Sequence, residues 1–210
     1  MNRNFQRALS LVLKHEGGFV DHPADPGGAT NKGVTISTYR AYINPKGTVA
    51  DLKKITDDQV ATVYKAQYWD AIKGDDLPSG LDYAVFDYAV NSGPSRSAKH
   101  LQAVIGVSQD GKIGNQTLAK AKTLKTSDTI NALCDKRLTF LKGLPTWGTF
   151  GKGWSTRVSD VRSEALKMVG SPAQVPVPTP KPVSIEPQPV SDGNWLAKLI
   201  EAIANIFTRK

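Results

Sequence analysis

The stretch HEGGFVDHPADPGGATNKG, residues 15–33, decides how the rest of the chain is read. Ahead of it, residues 3–16 carry a helical repeat. Phe5, Leu9, Val12 and Glu16 fall at steps of four, three and four, so they share one face and Glu16 extends an apolar stripe. Gly17 and Gly18 stop the helix, because glycine accepts left-handed cap geometry at little cost. Asp25-Pro26-Gly27-Gly28 then marks a turn, and Val34-Thr35-Ile36 is β-prone. A small hairpin or irregular sheet fits here better than a second helix.

Helical signals dominate downstream. Thr56-Asp57-Asp58-Gln59 is a capping box ahead of a helix through Val60, Val63, Tyr64 and Tyr68. Further helices are predicted over Leu81–Ala89, Leu101–Ile105, around Leu118, and over residues 130–141 and 154–169. With the first, this makes about six or seven helices against one small β element, an α+β class that is mostly α. Residues 171–192 hold seven of the chain's thirteen prolines and no aromatic residue, the composition of an extended, semi-rigid tether. The folded body should therefore end near Gly170.

Composition limits the possibilities further. Of 210 residues, 40% are hydrophobic and 22% charged, as in ordinary globular proteins, and the net charge is +8. That excess favours polyanionic partners such as nucleic acid or a phosphate- and carboxylate-rich cell envelope. The lysines are scattered and no basic recognition helix is present, so the envelope is preferred and nucleic acid is not expected. Cys134 is the single cysteine and lies in an apolar helical pattern, which excludes an internal disulfide and reads as core. His15 and His22 lack metal-ligand geometry, and neither metal nor cofactor is expected. His100 reads as a helix-surface residue. Near the N-terminus the apolar run LSLVL is five residues long and closes at Lys14, too short for a secretory signal.

The acids of the opening stretch suit glycoside hydrolysis. That reaction needs one carboxyl group to protonate the leaving oxygen and a second to activate water or attack the sugar. Glu16, on an apolar face at a helix end, is placed to stay protonated by burial; Asp25, in a polar Gly-rich turn, should remain ionised. Thr30 could hold a water between Asp25 and the sugar. Spacing alone leaves open an Asx-type turn with no catalytic role.

HEGGFVDHPADPGGATNKGVTISTYRAY resembles the N-terminal signature of the family 108 glycoside hydrolases, N-acetylmuramidases of the phage endolysin type. The pattern is met by Glu16, Gly17, Gly18, Phe19, Pro23, Asp25, Gly27, Gly28, Thr30 and Gly33. YWDAIKGDDLPSGLDYAVFDYAVNSG is similar to the second half of that family's catalytic region. GPSRSAKHLQAVIGVSQDGKIGNQTL resembles its helical peptidoglycan-binding segment, and WGTFGKGWSTRV its closing aromatic region. The resemblance implies a lysozyme-like fold in which residues 1–93 form the catalytic lobe and residues 94–170 a peptidoglycan-binding-like segment packed with it. It implies Glu16 as general acid, with Asp25 and Thr30 as water-positioning or charge-stabilising partners. The β-1,4 bond after N-acetylmuramic acid would be cut, lysing bacteria from a cytoplasmic site of synthesis after release to the wall. A non-catalytic wall-binding protein and a lytic transglycosylase are the alternatives. A carboxylate separation of about 7–9 Å would imply inversion, and one near 5 Å a covalent intermediate.

Tyr39, Tyr68, Trp69 and Asn91 are candidate sugar contacts, each aromatic competing with a core role. In residues 193–210, Trp195, Leu196, Leu199, Ile200, Ile203, Ile206 and Phe207 form a broad apolar face with terminal cations. This amphipathic helix is too short to span a bilayer but suits the interface of anionic outer-membrane lipid, with self-association or docking on the body as rivals. The chain is expected to be a monomer.

Overall fold

The computed structural model describes residues 4–21 and 28–170. The Pro-rich tether and the C-terminal amphipathic helix lie outside the described residues, as do His22, Pro23 and Asp25.

Helix α1, Phe5–Leu13, buries Phe5, Ala8, Leu9 and Val12, the face set by the sequence repeat. It ends three residues short of Glu16, but the chain stays coiled: His15 N–H donates to Val12 at 2.9 Å and Glu16 N–H to Leu13 at 3.2 Å. These three-residue bonds tighten the last turn and keep Glu16 beneath the apolar face. A two-stranded antiparallel hairpin follows, β1 at Thr30–Asn31 and β2 at Val34–Thr35, with Thr30 paired to Thr35. Reciprocal 2.8 Å bonds between Val20 and Thr30 fasten the hairpin to the segment leaving α1.

The described residues contain nine α-helices rather than six or seven. The additional two are α2, Ile36–Tyr42, and α3, Val49–Lys53. Thr35 explains the first: it closes β2 and its hydroxyl accepts the Thr38 N–H at 3.2 Å, so a β-branched run read as strand turns into a capped helix. The second is five residues long, buries only Leu52, and is held by a Thr48–Asp51 capping box. α4, Asp57–Tyr64, starts at the predicted Thr56–Gln59 box and runs into a π-helical turn over Lys65–Trp69.

The centre of the molecule is α5, Leu81–Ser92, in which every residue is buried. It is packed against α1 on one side and against α6 (Pro94–Ile105), α8 (Thr126–Lys142) and α9 (Trp147–Met168) on the others. Short α7, Asn115–Thr123, bridges α6 and α8. At the start of α5, Gly80 has φ of +88° and a Cβ there would lie 2.3 Å from the Ala165 carbonyl oxygen, so α9 can approach only a glycine. One apolar core runs from Phe5 to Met168, spanning both the 1–93 and 94–170 segments. A helix that is buried all round must be covered all round, and α6, α8 and α9, all beyond residue 93, supply cover for α5.

Candidate active site

Glu16 is delivered by the tight turn after α1 and faces α9 and α5. Its side chain is 1% exposed. Arg157, on α9, donates Nη1–H and Nη2–H to the same carboxylate oxygen, Oε1, at 3.2 and 3.3 Å. The other oxygen, Oε2, is buried and has no hydrogen-bond partner among the described residues. Burial raises the Glu16 pKa, and the Arg157 charge pulls against that rise without cancelling it.

Behind Arg157 stands Asp87 of α5, fully buried. It accepts Arg157 Nε–H at 3.2 and 3.1 Å, Nη2–H at 2.9 Å, and Arg137 Nη1–H of α8 at 2.7 Å. Burial opposes ionisation of Asp87, but the two guanidinium groups outweigh it and hold the carboxyl at about 2. Arg137 also lies over the Tyr88 ring, its guanidinium carbon 4.9 Å from the centroid. Two cations and two carboxylates thus form one buried cluster that joins α1, α5, α8 and α9.

The hairpin closes on Glu16 from the other side. Gly33, with φ of +75°, takes the turn between β1 and β2; a Cβ on it would lie 2.1 Å from the Tyr64 hydroxyl oxygen and 3.2 Å from Glu16 Oε2. Only glycine lets the backbone come this near, which accounts for the last glycine of the 15–33 signature. Tyr64 O–H donates to the Lys32 carbonyl at 3.0 Å and so pins the turn. Thr30 is half-buried on β1, its hydroxyl donating at 3.4 Å to Gly28.

The sugar-contact candidates fall in different places. Tyr68 is half-buried, 5.6 Å ring to ring from Tyr64, and burial together with the Glu16 charge pushes its phenol up to about 12. Asn91 is one helical turn beyond Asp87 on α5, 2% exposed; its Nδ2 has no partner among the described residues. Trp69 is corrected to a core residue: it is 1% exposed, 5.4 Å from the Phe5 ring and 5.3 Å from the Phe86 ring, and its indole N–H donates to Asp75. Tyr39 is buried at 5% against Gly47. His100 is likewise no surface residue. It is half-buried between Tyr88 and Phe140, and a 2.7 Å hydrogen bond links Nδ1 to the Tyr88 hydroxyl.

Sequence reasoning missed Arg157, Asp87 and Arg137, although two of them carried a signal. Arg137 continues the Ile130, Leu133, Cys134, Leu141 stripe of α8, and Asp87 interrupts an apolar run, so both are charges at core phase. Arg157 sits 141 positions from its carboxylate partner, a pairing no local pattern contains.

The family model described as glycosyl hydrolase 108 matches residues 9–93, the segment that supplies Glu16, the hairpin and Asp87. Among solved structures, Brucella abortus SagA is 49% identical, with 80% of this chain and 97% of that chain covered and a TM-score of 0.71. Eighty per cent of 210 residues exceeds the 9–93 stretch, so the likeness runs on through the helices that carry Arg137 and Arg157. None of the curated proteins compared matches the chain. The chain belongs to the glycosyl hydrolase 108 family.

Proposed function

We propose that this glycosyl hydrolase is a lysozyme-type N-acetylmuramidase that cuts the β-1,4 bond between N-acetylmuramic acid and N-acetylglucosamine in peptidoglycan. The observation that carries this reading is Glu16 itself: a carboxyl group 1% exposed, anchored through one oxygen, its pKa raised by burial, inside the family-matched stretch. Such a group keeps its proton above the ordinary carboxylate range and can deliver it to the leaving oxygen. Asp25 and Thr30 are the proposed partners, Asp25 activating water or stabilising charge at the sugar carbon. Tyr68, whose phenol feels the Glu16 charge, and Asn91 are the proposed sugar contacts. Release of the enzyme to the wall would lyse the bacterium that made it.

Digestion of purified peptidoglycan, with the fragments read by mass spectrometry, tests the reading. Reducing muramic acid ends are expected. Anhydro-muramic ends would instead assign a lytic transglycosylase, and intact sacculi a wall-binding protein. Glu16→Gln should lower kcat by roughly 10²–10⁴-fold while leaving the thermal transition in place; full activity in that variant removes Glu16 from the role.

A further inference from the structure

Building on the reading of Glu16 as the acid, we propose that Arg157 is a positioning residue that assigns the transferable proton to Oε2 of Glu16. Asp87 and Arg137 hold the guanidinium in the orientation that makes this assignment.

The geometry separates the two oxygens of one carboxyl group. Arg157 places two N–H groups on Oε1, at 3.2 and 3.3 Å. A carboxyl oxygen has two in-plane lone pairs, so an acceptor of two donors is a poor seat for a proton. Tyr64, whose hydroxyl lies against the same Gly33 turn, offers Oε2 no hydrogen: its own is committed to the Lys32 carbonyl at 3.0 Å. Oε2 is buried without a partner among the described residues and lies beside the Gly33 turn, 3.2 Å from where a Cβ on that residue would stand. The proton therefore rides on Oε2.

Arg157 can hold this pose because its other edge is clamped. Nε–H and Nη2–H are engaged by Asp87, and Asp87 is itself braced by Arg137. Asp87 sets its one carboxylate against both guanidinium groups and so fixes the edge of Arg157 that faces Glu16. Among the described residues, Tyr64 and Tyr68 near Glu16 are both held neutral, and the pKa of His15 is lowered by burial and then by Arg157. In the transfer step the Oε2–H bond breaks and the proton moves to the glycosidic oxygen. That oxygen keeps the electron pair of its broken bond to the anomeric carbon; water supplies the hydroxyl that replaces it, and the second proton of that water passes to the proposed base Asp25 and, through solvent, restores Glu16. The carboxylate left behind is met at Oε1 by a cation already in place, which needs no reorganisation.

Infrared difference spectra of the whole chain between acid and neutral pH, with the Glu16 band assigned by its loss in Glu16→Gln, test the oxygen assignment directly. The protonated Glu16 C=O stretch should be lowered, because Oε1 is the carbonyl oxygen and accepts two N–H bonds. A band at the frequency of a free carboxyl C=O overturns the proposal. Arg157→Lys keeps the charge but lacks a fork that reaches both Asp87 and Oε1. It should lower kcat roughly 10–100-fold with KM within about twofold, the signature of a misplaced group rather than lost binding. Wild-type kcat in Arg157→Lys, with Glu16→Gln inactive, overturns the positioning role; activity in Glu16→Gln overturns the acid assignment instead. If Arg157→Lys does not fold, the wild-type spectrum alone decides.

Discussion

The polar groups buried around Gln102 and those buried around Glu16 differ in the kind of hydrogen bonding they make. Gln102 is 1% exposed on α6; its Nε2 donates to Asp110 at 2.7 Å, to the Lys112 carbonyl at 3.0 Å and to Thr117 at 3.2 Å, and its Oε1 accepts Gly111 N–H at 2.9 Å. Every polar atom of that amide is used within the fold. The Glu16 cluster leaves Glu16 Oε2 and Arg137 Nε without partners among the described residues. A saturated buried network fixes a loop, whereas an incomplete one is costly to keep and marks where another molecule can complete it. Both motifs stand out in the sequence. Only the second leaves buried polar atoms open among the described residues, whereas Gln102 pins the turn over Asp110–Lys112.

Substitutions that break one cluster and spare the other sharpen this contrast. The largest stability effect is expected at Asp87. Asp87→Asn strips the charge from between Arg137 and Arg157 and should destabilise the protein by about 3–5 kcal/mol, measured by urea unfolding. The same carboxyl makes the wild type acid-sensitive. Its folded value of about 2 lies below the ordinary 3.8, so its contribution is present above about pH 4 and is lost as pH falls towards 2. An Asn variant as stable as wild type would mean that the charge cluster contributes little.

Gly33→Ala comes next. A Cβ there meets both a φ of +75° and the Tyr64 hydroxyl, so a loss of about 1–3 kcal/mol is expected together with reduced kcat as the turn shifts from Oε2. Retention of wild-type kcat and stability would show that the turn tolerates displacement.

Gln102→Leu should cost about 1–3 kcal/mol by removing the amide that Gly111 N–H, the Lys112 carbonyl and buried Thr117 share, yet leave kcat of the folded fraction unchanged. A drop in kcat without loss of stability would place the Gln102 cluster in the reaction and end the contrast.

The smallest effect concerns His100. Burial, then the charges of Lys136 and Arg96, hold its imidazole at about 4, below the ordinary 6.5. The folded state favours neutral His100, so its contribution is complete above pH 6.5 and is lost as pH falls towards 4. The Tm of His100→Gln should therefore depend less on pH than that of wild type across this window.

Much of this was legible in the chain order. The apolar stripe of α1 puts Glu16 in phase with Phe5, Leu9 and Val12 and so on the buried side. The capping box at Thr56 and the β-prone pair at Val34-Thr35 locate α4 and the hairpin. Helices α2 and α3 were hidden because local propensity there is weak, and side-chain caps decide the outcome. Trp69 and Tyr39 read as sugar contacts because an aromatic residue looks the same in a sequence whether it faces a core or a cleft.

What the sequence determined by itself is periodic and local: which face of each helix is apolar, where the chain must turn, and that an acid sits at the end of the first stripe. What only tertiary structure decided is which charges meet. Arg157 comes to Glu16 across 141 residues, and Asp87 to Arg137 across 50, because α5 is buried all round and is wrapped by elements from both ends of the described chain. Wrapping brings α8 and α9 against α1, and the few charges at core phase are left no solvent, so they take one another as partners.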